Sequence, residues 1–242
     1  MSGRRRALVT GGSGAIGGAL CRRLAHEGHH VYVHCRRGGE AAEALVREIV
    51  DSGGQAIALN FDITDAAAAR RALDAVLENG PIQILINNAG VHDDAVLPGM
   101  TAAQWHHVID VSVNGFFNAT QPLLLPMIRT RWGRIVNVSS VAALIGNKGQ
   151  VNYAAAKGAL NSATKALALE VATRGITVNA VAPGIIGTPM TEGLFDEETI
   201  ERLVPMNRMG LPAEVAAVVG FLVSDEASYV TGQIISVSGG MA

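Results

Sequence analysis

Ser140, Tyr153 and Lys157 place a hydroxyl, a phenol and an ammonium within the short stretch 139–157. Tyr153 and Lys157 stand four residues apart among good helix formers (154–160), so both side chains leave one helical face a turn apart. An ordinary phenol has a pKa of about 10, and lowering it to pH ~7 takes about 4 kcal/mol of help. A fixed cation supplies that help by favouring phenolate, which makes Tyr153 a candidate proton donor. Taken alone, a Tyr and a Lys one turn apart are a common structural pair. Their meaning rests on the elements that position them.

The chain begins with an apolar run over 7–10, cut off by the turn Thr10, Gly11, Gly12, Ser13, Gly14, Ala15, Ile16, Gly17, and a helical pattern then runs to residue 27. Further strands are predicted over 30–35, 56–61, 82–86, 134–138, 177–181 and 233–237. Helices are predicted over 39–51, from a cap at Thr64 or Asp65 to 78, over 102–131, through Tyr153 and Lys157 to 174, and over 212–223. Residues 185–210 read as irregular or loosely helical. Strands that are apolar throughout and alternate with helices imply an α/β fold: a Rossmann-like, doubly wound parallel sheet of about seven strands with helices on both faces. The pattern is read as a single domain over 1–242, with 185–210 as a substrate lid. In such a sheet ligands bind at the carboxyl ends of the strands. The unusual residues lie there: the glycine turn, Asp62, Asn87 to Gly90, Ser139-Ser140 and Pro183 to Thr188.

The bulk composition narrows the function. A formal net charge of −2 argues against binding nucleic acid or an anionic membrane by charge alone. The apolar run after Arg4 to Arg6 is too short for a signal-peptide core, and no stretch approaches a membrane span. Two cysteines, Cys21 and Cys35, fit a reduced cytoplasmic protein without requiring a disulfide. Seven histidines show no metal-ligand spacing, so no metal site is expected.

A glycine turn between the first strand and its helix lets backbone approach a pyrophosphate and aims the helix N-terminus at it. Nicotinamide folds that prefer NAD usually place an acid about 20 residues further on, whereas Arg there accommodates a 2′-phosphate. This chain has Arg36-Arg37 just after the second strand and no acid before Glu40, which favours NADPH over NADH.

With these residues assembled, the chain resembles the short-chain dehydrogenase/reductase family over essentially its whole length. The resemblance rests on Thr10-Gly11-x-x-x-Ala15-x-Gly17, Asp62, Asn87-Asn88-Ala89-Gly90, Ser140, Tyr153-x-x-x-Lys157 and Pro183-Gly184-x-x-x-Thr188. It implies that Tyr153 protonates the substrate oxygen as hydride arrives from the nicotinamide, that Lys157 lowers the Tyr pKa and holds the nicotinamide ribose, and that Ser140 binds the substrate carbonyl. By the same resemblance Ile63, Ala89, Gly90 and Ile186 join the glycine turn, Asp62, Asn87, Pro183, Gly184 and Thr188 around the NADPH/NADP+ cofactor. Within the family the chain looks most like reductases of 3-oxoacyl groups on acyl carrier protein, on residues 146–153, 205–210 and the Ser-Gly-Gly-Met ending. Arg131 and Arg174 stand where such reductases dock the carrier, though surface arginines at helix ends are equally ordinary. Met190, Leu194, Phe195, Leu203 and Met206 would give the lid an apolar lining for an acyl chain. Small residues on two helices (Ala119, Ala163, Ala168) are read as outward-facing and suited to packing against another copy, and the family implies a homotetramer or homodimer.

Two departures stand out. The position at which many members carry a catalytic Asn falls on Ser112; Asn114 is nearby, but two residues turn it roughly 200° round an ordinary helix. Only a π-bulge would bring it round, and Ser112 is expected to keep the proton relay through its hydroxyl or a water. Gly14-Ala15 also replaces the basic residue and glycine of many relatives, placing more weight on Arg36 and Arg37. Two other functions remain open: a dehydrogenase of polyols, sugars or other secondary alcohols, and a non-catalytic cofactor-binding scaffold.

Overall fold

The structure is a computed structural model describing residues 4–36, 39–189, 191 and 193–242. Arg37 and Met190 lie outside the described residues. The strands are β1 (Arg6–Val9), β2 (His30–Cys35), β3 (Gln55–Asn60), β4 (Ile84–Asn87), β5 (Gly133–Val138), β6 (Ile176–Pro183) and β7 (Ile234–Val237). All pair in parallel in the order β3-β2-β1-β4-β5-β6-β7. The chain winds outward from β1 to β3, returns past β1 to β4 and winds outward the other way. The direction of winding therefore reverses between β1 and β4, where the carboxyl ends of the strands open a crevice.

Nine α-helices are described: α1 (Ala15–His26), α2 (Glu40–Asp51), α3 (Ala66–Leu77), α4 (Ala102–Ile109), α5 (Gly115–Thr130), α6 (Ala142–Ile145), α7 (Val151–Val171), α8 (Glu197–Leu203) and α9 (Pro212–Val223). Local chemistry sets several starts. Asp65 caps α3 through the Ala68 N–H at 2.9 Å, Thr101 and Gln104 close a capping box on α4, and Pro212 opens α9. One core layer packs Leu20, Leu24, Leu45, Val215 and Leu222 on one face of the sheet; the other packs Leu73, Leu123, Met127 and Val171 on the opposite face. Each fully buried aliphatic of this kind stabilises the fold by about 1.5–3 kcal/mol.

A chain of buried amides and hydroxyls crosses the second layer. Asn87 Nδ2 donates to Asn137 Oδ1 at 2.9 Å and to Thr120 Oγ1 at 3.1 Å, and Asn137 Nδ2 donates to Thr164 Oγ1 at 2.7 Å. Asn87 and Asn137 are direct register partners across β4 and β5.

The structure corrects three local expectations. The helix expected over 102–131 is interrupted by a π turn, Asp110–Asn114, between α4 and α5. The Tyr153 helix ends at Val171 and finishes in a 3₁₀ turn, Ala172–Arg174. Ala119 and Ala168 do not face outward: both are buried in the sheet-facing core, so they offer no surface to another copy. Large apolar side chains that α5 and α7 do expose include Phe117, Leu125, Val151 and Leu169. Cys21 and Cys35 are buried, unbridged thiols. Among the described residues no helix is long and apolar enough to cross a membrane.

Candidate active site

Ser140 follows the carboxyl end of β5, and Tyr153 and Lys157 lie on the first turns of α7. Ser140 Oγ accepts from the Ala142 N–H at 3.1 Å, which orients the hydroxyl at the entry to α6. Lys157 is buried and donates from Nζ to the Val138 carbonyl at 2.8 Å. Burial pushes its ammonium down to about 8. Burial also pushes the Tyr153 phenol above its ordinary range; a hydrogen bond with Ser140 pulls it back and the Asp94 carboxylate pushes it up. Lys157 Nζ sits 5.7 Å from the Tyr153 ring centroid. Desolvation is thus the largest influence on the phenol, and the group that lowers it here is Ser140.

The start of α7 is tied to the loop after β4. The Tyr153 N–H donates to Asn152 Oδ1 at 2.8 Å, and the buried Asn152 amide donates to the Asp93 carbonyl at 2.9 Å. Gln150 Nε2 donates to Asp94 Oδ2 at 2.8 Å, and Gln104 Nε2 to Asp93 Oδ1 at 2.8 Å. The two acids thus brace the mouth of the site. Sequence reasoning passed over Asn152, whose one signal was its place directly before the phenol.

A cavity of about 680 Å³ opens at the crevice between β1 and β4, lined by the turn from Gly11 to Gly17, by Asn88, Ala89 and Gly90, and by Val138 and Thr188. Its floor suits a dinucleotide. No side chain caps the N-terminus of α1 at Gly14, so the first-turn N–H groups point into the cavity as donors for a phosphate. The turn is so tight that a Cβ on Gly17 would overlap the Gly11 carbonyl and lie 2.8 Å from Gly12 Cα. Lys157 completes one wall, since a Cβ on Gly90 would stand 2.9 Å from its Nζ. The residues present fit a nicotinamide dinucleotide, the ammonium having two N–H bonds beyond the one to Val138.

The remaining expected residues distribute as follows. Thr10 is buried, and its Oγ1 accepts from the Asn88 and Ala89 N–H groups, both at 3.0 Å, locking the two turns together. Asn88, within the expected turn Asn87 to Gly90, donates to the Thr10 and Gly11 carbonyls at 2.9 and 3.1 Å. Asn87 turns its amide into the core instead of the cavity. Arg36 is exposed just beyond β2. Asp62 Oδ1 accepts from the Thr64 N–H at 2.9 Å, and the Ile63 carbonyl accepts from Asn118 at 2.8 Å, which shapes the end of β3. Pro183 pairs with Val237, the Gly184 N–H donates to the Val237 carbonyl at 3.0 Å, and buried Ile186 bridges to Gly210. Thr188 is held by Thr191, whose Oγ1 accepts from its N–H at 3.0 Å.

In the π turn Ser112 is buried and its Oγ has no hydrogen-bond partner among the described residues. Asn114 points outward and donates to Asp110 Oδ1 at 2.7 Å. The π turn therefore exists but does not carry Asn114 inward. Arg131 and Arg174 are brought together by a bond from Arg131 Nη2 to the Thr173 carbonyl at 3.1 Å. They stand before the amino ends of β5 and β6, across the sheet from Ser140. The length of β5 sets that separation at about 20 Å within one chain.

The chain matches the sequence model of the short chain dehydrogenase family over residues 5–199. It is 43% identical over 236 residues to a 3-oxoacyl-[acyl-carrier-protein] reductase of Aggregatibacter actinomycetemcomitans, covering 97% of this chain and 98% of the relative. It is 44% identical over 237 residues to the enzyme of that name from Thermotoga maritima and 43% identical over 237 residues to that from a Synechocystis species, each alignment covering 97% of this chain and 96% of the relative. The match to the family model and the identity to these relatives over nearly the whole chain show that the chain belongs to the short-chain dehydrogenase family.

Proposed function

We propose that this protein reduces the 3-oxo group of an acyl thioester borne on acyl carrier protein to the 3-hydroxyacyl form, with NADPH as reductant. The observation that carries this reading is the gathering of Ser140, Tyr153 and Lys157 beside the glycine-turn cavity in a chain 43–44% identical to 3-oxoacyl-[acyl-carrier-protein] reductases. When bound, the dinucleotide supplies the hydride. Ser140 donates a hydrogen bond to the substrate carbonyl oxygen, and Tyr153 Oη gives that oxygen its proton. Lys157 holds the nicotinamide ribose and stabilises the phenolate left behind. Ser112 takes the place from which protons are fed back toward Lys157: a buried hydroxyl without a partner among the described residues is suited to hold a water.

Arg36 and Arg37 select the 2′-phosphate of NADPH. The whole chain works as one domain, with residues 185–210 closing over the acyl chain; Leu194 and Met206 are exposed apolar side chains available for that contact. Arg131 and Arg174 meet the acidic carrier protein. The exposed Phe117, Leu125 and Leu169 support association of copies into a homodimer or homotetramer in the cytoplasm. The test is NADPH oxidation with carrier-bound 3-oxoacyl substrates, with the matching coenzyme A thioesters and with polyols and simple secondary alcohols. Wild type is expected to prefer the carrier-bound thioester, and Tyr153→Phe to lose at least ~100-fold in kcat with an unchanged thermal midpoint. Preferential oxidation of alcohols with NAD+ would overturn the reading.

A further inference from the structure

His34, the penultimate residue of β2, is 2% exposed and belongs to none of the groups assigned above. Its ring touches two other segments of the crevice. The backbone N–H of Gly11 donates to His34 Nδ1 at 3.0 Å, and His34 Nε2 lies 3.0 Å from the Phe61 carbonyl oxygen. Its own backbone adds a third tie, since the Gly12 N–H donates to the His34 carbonyl at 2.8 Å. The ring also packs on Phe61, with centroids 4.2 Å apart.

These partners fix the chemical form. A backbone N–H pointing at Nδ1 requires a lone pair there, so the proton sits on Nε2 and is donated to Phe61. Burial supports this neutral form by pushing the imidazole down to about 4, against the opposing pull of the Phe61 carbonyl and of Asp62. A protonated ring would turn an N–H toward the N–H of Gly11.

The ring stands where three cofactor-binding segments converge. Gly11 starts the phosphate-binding turn at φ 62°, Phe61 immediately precedes Asp62, and Arg36 follows two residues after His34. Asn88 holds the Gly11 carbonyl from the β4 side at 3.1 Å while His34 holds the Gly11 N–H from the β2 side. By taking up that N–H inside the protein, the imidazole commits the turn to present the α1 first-turn groups to the ligand.

We propose that His34 is a positioning residue for the dinucleotide. Its neutral Nε2–H tautomer spaces the glycine turn from the ends of β2 and β3, and so sets affinity for the cofactor without taking part in hydride or proton transfer. The proposal rests on the nicotinamide-dinucleotide reading of the cavity. The experiment first titrates wild type with NADPH; no binding there removes the underlying reading, whereas binding leaves His34 to be judged alone. His34→Leu, which has neither polar atom, is expected to raise the NADPH KM about tenfold while kcat at saturating NADPH stays within about twofold. His34→Asn, which restores an acceptor near Gly11, should recover part of that loss. Nitrogen NMR of the wild-type imidazole should show one neutral Nε2–H form with no titration near pH ~6.5, a readout that stands even if His34→Leu does not fold. An unchanged NADPH KM in His34→Leu, a fall in kcat equal to the fall in kcat/KM, or an imidazole that titrates normally would overturn it.

Discussion

Lys157 Nζ reaches the Val138 carbonyl at 2.8 Å, which holds a buried ammonium where the carboxyl end of β5 meets the cofactor cavity. In the proposed mechanism reduction consumes a proton and relies on that ammonium, whose pKa is pushed down to about 8. The charged form dominates below that value, so kcat/KM for reduction is expected to be flat at lower pH and to fall as the pH rises through about 8. A pH profile of wild type against Lys157→Arg checks this: the arginine keeps its charge, and its falling limb should move to higher pH. The stability linkage has the same cause. The folded state holds its proton less tightly than the unfolded chain, so Lys157 makes folding less favourable below pH about 8 and progressively less so as the pH rises toward 10.5.

Ser112 has a buried hydroxyl with no partner among the described residues, an arrangement that costs about 1–3 kcal/mol unless a water satisfies it. Ser112→Ala is expected to lower kcat several-fold while leaving the thermal midpoint equal or higher, and Ser112→Asn to restore or exceed the wild-type rate. Steady-state kinetics with thermal unfolding on the same preparations decide this. Wild-type kcat in the alanine variant would place the relay elsewhere.

Gly17 has backbone where a side chain would begin. Gly17→Ala is expected to force the turn open, raise the NADPH KM at least about tenfold and cost about 1–3 kcal/mol of stability, as overpacking does. Fluorescence titration with NADPH and denaturant unfolding measure the two effects separately.

Much of this molecule was legible in its sequence because parallel strands buried on both faces read as unbroken apolar runs, and because glycines mark the crevice where backbone needs room. The parallel sheet with alternating helices follows from the first signal and the position of the crevice from the second. What stayed hidden depends on direction within an element. Periodicity gave no sign that the helix through Ser112 carries a π turn, nor that Ala119 and Ala168 face the sheet. His34 looked like one histidine among seven, because its two partners are supplied by backbone groups of other segments. The surroundings of Tyr153 stay hidden for a related reason: the sequence shows the cation nearby but not how deeply both groups are desolvated.

Arg36 stands exposed just past β2, on the side of the crevice that His34 braces. Arg36→Asp combined with Arg37→Asp is expected to raise the NADPH KM at least about tenfold and leave the NADH KM within about threefold, since only the former carries a 2′-phosphate. Parallel kinetics with the two cofactors check this, and a wild type that uses NADH as well as NADPH would show that the arginines play no such part.

The buried amides of Asn87 and Asn137 act as a proofreading device for the sheet. They face each other as register partners, and the bond from Asn87 Nδ2 to Asn137 Oδ1 at 2.9 Å belongs to that register. If β5 slipped by one residue, Asn137 would turn to the opposite, apolar layer and lose its bonds to Asn87 and Thr164, an error costing several kcal/mol. A misaligned sheet is thus rejected on polarity before any ligand is met. The hydroxyl of Ser140 and the turn at Asn88, each one to three residues beyond these amides, arrive opposite one another every time the chain folds.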